Sequence, residues 1–576
     1  MSLATYRSDY AIPGSTLAHG TGSVTVEFDV PARMRDGTTL RANIYRPHGS
    51  GPWPTLLMRT PYDKNRQVMD VWCGLDPVQA ARQGFLVVTQ DVRGRFTSDG
   101  DWQPFRYERQ DGFDTAEWAA ALPGSNGRVG MYSGSYCGNI QWQAAADRPP
   151  GLAAISPALT WSEPLEGLLA RGGAVELGLA LRWALENSVD CLDRAEGDPA
   201  EHRRRLDAVA HEWDRLPDLG YWELPVSDVA VLRRHGVPAL GGLRDIDNAE
   251  AAAWSRITDL YDEVAIPSLH TAGWYDIFLQ GTLDNYTAMA ARGREANLVV
   301  GPWTHHAFGD PVGQQSFGMR AMRNGFPVHR HGDWNDLQLA WFRRHLTTEP
   351  AGGELDAPVR IFVMGRNEWR DEAQWPPARA IAQRWYLHAG GTLTPERPQM
   401  REDVTGFQYD PTHPVPTVGG HGVLWPGSPS GPMDQAAVEA RDDVLVFTSP
   451  RLSHDLDVTG RVRVVLYASS SAPSTDWVAR LCDVHPDGRS INLCDGIVRV
   501  TTVSRGVDRY EIDLWSTSNV FLRGHRLRVH ITSSSFPRWD RNLNTGDQDA
   551  VHSHVARQRV HHDAEHPSHI EIPVIT

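Results

Sequence analysis

Short apolar runs, several rich in β-branched residues and closed by turn-forming residues, recur through the first three hundred positions: Pro54 to Met58, Phe85 to Thr89, Val129 to Tyr132, Leu152 to Ile155, Ile266 to Thr271 and Leu298 to Val300. Segments with helical spacing separate several of them. This alternation predicts a mostly parallel sheet covered by helices on both faces. Near the start, Asp36-Gly37 lies between two polar-apolar alternations, which predicts an antiparallel hairpin at the leading edge of the sheet.

The pattern changes twice. From residue 163 to 255 the strand signal fades and amphipathic stretches take over, such as His202 to Leu216. Because this segment follows a strand of an α/β sheet, where loops overhang the ligand crevice, it is expected to be a helical cap that shapes substrate choice. Beyond 355, alternating segments separated by Gly, Pro, Asp and Asn turns appear at Val359 to Met364, Arg384 to Leu387, Val444 to Thr448, Arg461 to Tyr467, Ile497 to Val503 and Leu527 to Thr532. They predict a β-sandwich with a jelly-roll arrangement. The expected organisation is therefore an α/β domain in two parts, 1–162 and 256–354, a helical cap over 163–255, and a C-terminal β-sandwich over 355–576.

Composition narrows the classes. At 576 residues the chain has room for two or three cores, and its 41% hydrophobic content is globular. The net charge of −15 is spread along the chain and disfavours nucleic acid as a partner. Cys73, Cys137, Cys191, Cys482 and Cys494 are few and far apart with no CxxC pair, and read as reduced thiols. Residues 1–7 open no apolar run of signal-peptide length, and no stretch approaches the ~20 apolar residues of a membrane span. The expectation is a cytoplasmic protein with a small-molecule rather than a nucleic-acid or membrane partner; a homodimer is one expected form.

The chemistry lies in three places. Gly130-Met131-Tyr132-Ser133-Gly134-Ser135-Tyr136-Cys137-Gly138 contains an entering strand, small residues at a sharp turn and an exiting helix that Pro149-Pro150 stops. This is how a nucleophile elbow holds a serine hydroxyl clear of the backbone. Ser133 is the rival, but bulky Met131 stands two positions before it, whereas Ser135 has small residues two before and three after. Asp276 follows the run ending at Ala272, and His305 follows the run ending at Val300, so each lies just past a predicted strand. Serine, acid, histidine is the chain order of an α/β-hydrolase triad: the histidine takes the serine proton and the carboxylate fixes the histidine tautomer. His306 competes with His305, and the residues alone do not separate them. Asp284 is the weaker acid, since it falls within a helix that begins near Gln280.

These residues carry a resemblance to the cocaine esterase-like (CocE/NonD) group of α/β-hydrolases, related to X-prolyl dipeptidyl aminopeptidases and α-amino acid ester hydrolases. It spans nearly the whole chain and rests on Thr60-Pro61-Tyr62-Asp63-Lys64, Gln90-Asp91-Val92-Arg93-Gly94, Gly134-Ser135-Tyr136-Cys137-Gly138, Ala272-Gly273-Trp274-Tyr275-Asp276, Gly301-Pro302-Trp303-Thr304-His305 and Phe536-Pro537-Arg538-Trp539-Asp540-Arg541-Asn542. The resemblance implies an α/β-hydrolase domain with an inserted helical cap and a C-terminal jelly roll. It implies Ser135, Asp276 and His305 as catalytic residues, which favours His305 over His306. It also implies an oxyanion hole made of the Tyr62 hydroxyl and the Tyr136 N–H. A neutral phenol can donate to a developing oxyanion at neutral pH. Two departures are visible: Ser133 replaces the glycine usual two residues before the nucleophile, and the region of Leu168 lacks a pocket tryptophan, while Trp183 looks like the match of another.

The sequence thus predicts a serine hydrolase that cleaves acyl esters through an acyl-enzyme without cofactor or metal. Trp161, Trp183, Phe278 and Trp477 are the candidate pocket walls. The alternative within the enzymes is an amidase, aminopeptidase or acyltransferase, which would need acidic groups such as Glu163 or Glu166 to hold a substrate ammonium. A non-enzymatic or carbohydrate-binding protein on the same scaffold is disfavoured by the intact triad. The tail histidines His552, His554, His561, His562, His566 and His569 match no ligand spacing and are expected to be structural. Asp91 with Arg93 and Arg95 is expected to form a buried ion pair near the elbow.

Overall fold

A computed structural model of the chain describes residues 23–66, 75–194, 198–229, 249–324, 332–348, 357–425, 427–547 and 549–576. Cys73, the N-terminal residues 1–22 and the expected boundary at 354–355 lie outside them.

The first body is built on a ten-stranded sheet in the spatial order Thr25–Arg33, Thr39–Arg46, Leu86–Asp91, Trp53–Thr60, Ser125–Gly134, Leu152–Ala158, Ser268–Tyr275, Ala296–Thr304, Val359–Val363 and Glu368–Glu372. From Leu86–Asp91 through Val359–Val363 every neighbouring pair is parallel. The leading hairpin is antiparallel, as Asp36-Gly37 predicts: Gly37 takes φ +92° and Asp36 Oδ1 accepts from the Thr38 N–H. The inner strands read as continuous apolar runs because helices cover both faces. Glu108–Ala120, Tyr136–Ala146 and Leu279–Ala291 supply part of this cover and Trp334–Leu346 another part, with Phe342 and Leu346 against Gly130.

One expectation needs correction. Val359 to Met364 reads as the first strand of the C-terminal sandwich, yet Val359, Arg360 and Ile361 pair in parallel with Leu298, Val299 and Val300, and Glu368–Glu372 then closes the edge of the same sheet. A strand alternates identically wherever it is docked, so its pattern carries no address.

Between Leu152–Ala158 and Ser268–Tyr275 lies the helical segment. Its two longest described helices are Leu177–Asp193 and Pro199–Asp214, the latter started by Asp198, whose side chain accepts from the Glu201 N–H. Leu177, Leu181, Leu185 and Leu192 bury one face of the first helix with Val209, Leu216 and Tyr221, while Leu179 and Trp183 turn toward the sheet. The C-terminal part is β-rich: eleven strands from Ala380–His388 to His569–Ile575 form one hydrogen-bonded network, with Asp508–Phe521 joined to Leu456–Ser470. No helix among the described residues is long and apolar enough to cross a membrane.

Candidate active site

Ser135, Asp276 and His305 each occupy the first position after a strand, following Gly134, Tyr275 and Thr304. These strands run parallel with a single strand, Leu152–Ala158, between the serine strand and the next, so all three residues emerge at the carboxyl-terminal end of the sheet.

Ser135 sits at φ +59°, in backbone space that is costly for a residue with a side chain. The turn is over-determined by hydrogen bonds. The Ser135 N–H donates to Ala158 O at 2.9 Å, and its carbonyl accepts from Gly138 N, Asn139 N and Thr160 Oγ1. Gly138 is required here, because a Cβ would lie 2.8 Å from Ala158 O. The rival Ser133 also has positive φ, but it is buried within the strand.

His305 reaches its place through a local irregularity. The pairing of Ala296–Thr304 with Ser268–Tyr275 shifts register between Gly301 and Thr304, and a Cβ on Gly301 would strike the Trp303 ring at 2.3 Å. Such an irregularity re-aims the residue that follows it. The imidazole then bridges the other two side chains, with Nδ1 2.5 Å from Asp276 Oδ2 and Nε2 3.2 Å from Ser135 Oγ. Asp276 is fully buried, and its second oxygen accepts from the Phe278 N–H at 2.8 Å. His306 is exposed, and its ring meets the His305 ring in an edge contact at 5.0 Å. Asp284 lies one turn into Leu279–Ala291 and accepts from Gln280 Nε2.

The Tyr62 and Tyr136 rings stand 6.3 Å apart, and Tyr136 directly follows Ser135 in the chain. The Tyr136 hydroxyl is occupied at the far side, donating to Glu108 Oε1 at 2.8 Å and accepting from Phe105 N. Its backbone N–H opens a helix, where no intrahelical carbonyl can take it. The Tyr62 hydroxyl accepts from Trp183 Nε1 at 2.9 Å, which leaves its own proton to donate. Burial pushes this phenol above its ordinary pKa, so it stays protonated.

Trp161, Trp183 and Phe278 share one apolar cluster beside these groups, and Phe278 contacts the His305 ring edge-on at 5.2 Å. Leu168 belongs to the same cluster. Trp477 does not: it packs against Phe407 and Tyr510 in the core of the β-rich part, because strand alternation gives the opposite face, toward Ala174, to its neighbour Val478. Trp102, Phe105, Ile140, Leu169 and Val423 also join the cluster, and no motif in the sequence marks them. Phe105, stacked 4.2 Å over Tyr136, lies in an irregular loop at φ +68°, where periodicity carries no signal.

The ion pairs near the elbow differ from expectation. Asp91 binds Lys64 Nζ at 2.8 Å, Arg93 pairs with Asp111 and Asp36, and Arg95 donates to Pro61 O and Asn187 Oδ1. Arg95 thereby ties the Tyr62 loop to the helix carrying Trp183. Both carboxylates offered for a substrate ammonium are engaged: Glu163 pairs with Arg256 at 2.8 Å, and Glu166 accepts from the Gly172 N–H at 3.4 Å.

Residues 36–307 match the X-Pro dipeptidyl-peptidase (S15 family) model, and 351–571 match the X-Pro dipeptidyl-peptidase C-terminal non-catalytic domain. The chain is a hydrolytic enzyme. It is 35% identical to a cocaine esterase of a Rhodococcus species over 96% of this chain and 99% of that protein. It belongs to the cocaine esterase-like family of serine hydrolases. In fold it is similar to an aminopeptidase from a marine-sediment Thaumarchaeota archaeon (TM-score 0.76, 24% identity, 100% and 99% of the two chains). An α-amino acid ester hydrolase is also similar in fold (TM-score 0.75, 23% identity, 99% and 100%). The C-terminal family model begins at 351, although hydrogen bonding assigns 359–372 to the first sheet.

Proposed function

We propose that the protein is a serine esterase in which Ser135, His305 and Asp276 form the catalytic triad, and that the helical segment caps a pocket closed by a C-terminal jelly roll. The observation that carries the reading is the unbroken chain of contacts from the Asp276 carboxylate through both imidazole nitrogens of His305 to Ser135 Oγ. Ser135 Oγ attacks the substrate carbonyl carbon as its proton passes to His305 Nε2. The imidazolium is stabilised by Asp276. The oxyanion is held by the Tyr62 hydroxyl and the Tyr136 N–H. His305 then protonates the leaving alcohol, which departs as the C–O bond breaks. Water, deprotonated by the same imidazole, releases the acid from the acyl-enzyme and restores the serine.

Trp161, Trp183 and Phe278 form an apolar wall suited to an uncharged acyl group. With Glu163 committed to Arg256, an ester without a free ammonium is the favoured substrate over an aminopeptidase substrate. Labelling with a fluorophosphonate followed by peptide mapping tests the nucleophile, and comparing phenyl esters with free-amine dipeptide amides tests the class. Absence of label on Ser135, or faster turnover of the amides, would reject the respective part of the reading.

A further inference from the structure

We propose that Asp483, His485 and His525 form a divalent transition-metal site, of zinc-type chemistry, that fastens the ends of two strands in the β-rich part. The register of Thr475–Val484 with Arg526–Thr532 sets Asp483 opposite Leu527 and Val484 opposite Arg526, so His485 and His525 face each other just past the paired residues. Asp483 and His485 are two positions apart and project from the same face. One ligand atom from each of the three residues lies within 4.8 Å of the others. The two rings are 4.6 Å apart between centroids, and His525 Nδ1 is 2.8 Å from Asp483 Oδ1.

Two imidazoles and one carboxylate suit Zn²⁺, Co²⁺ or Ni²⁺, and they do not suit the hard cations that prefer all-oxygen shells. Ligands ~2.0–2.1 Å from a tetrahedral ion stand roughly 3.3 Å apart, so side-chain adjustments on the order of 1 Å bring these three atoms into the first shell. Those adjustments are local, because the backbone is held. The His485 N–H donates to Arg489 O and the His525 N–H to Leu522 O, both at 2.9 Å. Asn519 Nδ2 contacts Asp483 Oδ2 at 3.4 Å, leaving Oδ1 toward the imidazoles, the outer contact that orients a ligating carboxylate. Asp483 and His525 are largely buried and His485 is half-buried, so the position is open to an ion and to a completing water. The nearby Arg489 is paired with Asp487 at 2.8 Å, which offsets its charge.

A second grouping, Glu439, Cys482 and His530, has comparable spacing. It differs in charge. Glu439 is paired with Arg528, whose guanidinium offsets the carboxylate charge that a cation would use.

The test uses the full chain, stripped with a chelator and dialysed, titrated with Zn²⁺ by calorimetry and with Co²⁺ by visible absorption. Wild type is expected to take one tight equivalent, with a cobalt spectrum showing nitrogen ligation and a rise in Tm on loading. His485→Gln, His525→Gln and Asp483→Asn should each weaken that equivalent by at least about tenfold. Glu571→Gln, at a carboxylate outside the site that pairs with Arg384, should leave it unchanged. Unaltered affinity and cobalt spectrum in both histidine variants, or no tight equivalent in wild type, would overturn the proposal. Should one variant fold poorly without metal, as judged by circular dichroism, the other two and the wild-type cobalt spectrum still decide. Ester turnover by Ser135 is read separately, so failure of the triad reading leaves this result untouched.

Discussion

Ser135 stands at positive φ with its hydroxyl 3.2 Å from His305, whereas Ser133, also at positive φ, is enclosed in its strand. Ser135→Ala is therefore expected to lower kcat for a phenyl ester by on the order of 10⁴-fold or more and to abolish probe labelling, while Ser133→Ala keeps most activity. Labelling at Ser133 in peptide mapping would put the elbow in the wrong register. The same steady-state assay should give a loss of several orders of magnitude for His305→Ala and a small one for His306→Ala, because only His305 meets both partners. Tyr62→Phe keeps the ring and removes the hydroxyl proposed as an oxyanion donor, so kcat should fall ~10²–10³-fold with little change in KM. The raised pKa of Tyr62 sets the sign of a further expectation. An ordinary phenol ionises near about pH 10, but here the donor stays protonated beyond it, so kcat should show no falling limb through that pH while the protein remains folded. A decline of kcat centred at that pH in wild type and absent in Tyr62→Phe would contradict this account.

Among the elements, the helix Leu279–Ala291 brings its first turn against the backbone of the aromatic wall. A Cβ on Gly281 would stand 2.6 Å from both Trp161 Cα and Ser162 N, a contact no flexible side chain can relieve. Gly281→Ala is expected to cost about 1–3 kcal/mol and to raise KM, since the shift reaches Trp161 and Phe278 together. Thermal unfolding and ester kinetics read the two effects, and a variant with wild-type Tm and KM would show that this helix does not set the wall. The helix itself was expected near Gln280, and so was the helical stretch now seen as Pro199–Asp214, because capping and periodicity are local. The sheet that claims Val359–Val363 was not foreseen, because docking is decided by neighbours distant in sequence.

Across the whole molecule, the helical segment and the β-rich part are joined by buried charge. Asp495 accepts from Arg538 Nη1 at 2.7 Å and lies near Arg480, His421 and Arg171, while Arg171 covers the Trp515 ring and Trp539 donates to Glu176. Burial alone would raise the Asp495 carboxyl, but Arg538, His421 and Arg480 outweigh it and hold it below the ordinary range. Its stabilisation is accordingly in force above about pH 4 and is lost only as pH falls through the depressed value. Asp495→Ala leaves the three buried arginines without this carboxylate and is expected to destabilise the chain by about 3–5 kcal/mol, measured as a lower urea midpoint. By contrast Glu571→Ala, which removes the half-buried partner of the exposed Arg384, should cost less than about 1 kcal/mol. Equal shifts for the two variants would show that the buried cluster has no special part in joining these regions.

What the sequence determined by itself was whatever depends on near neighbours. The strand–turn–helix around Ser135, the hairpin at Gly37 and the order of serine, acid and histidine were all readable, because small residues at a strained turn and apolar periodicity act within about ten positions. The choice of Ser135 over Ser133 was readable for that reason too, while the choice of His305 over His306 needed the family resemblance and is supported by the register shift after Gly301. Tertiary structure alone decided which aromatics meet. Phe105 and Trp102 enter the cluster and Trp477 leaves it for the other core, just as Asp91 takes Lys64 in place of Arg93. It also set His485 across from His525, forty positions away, since cross-strand register is fixed by the burial of whole faces rather than by spacing along the chain.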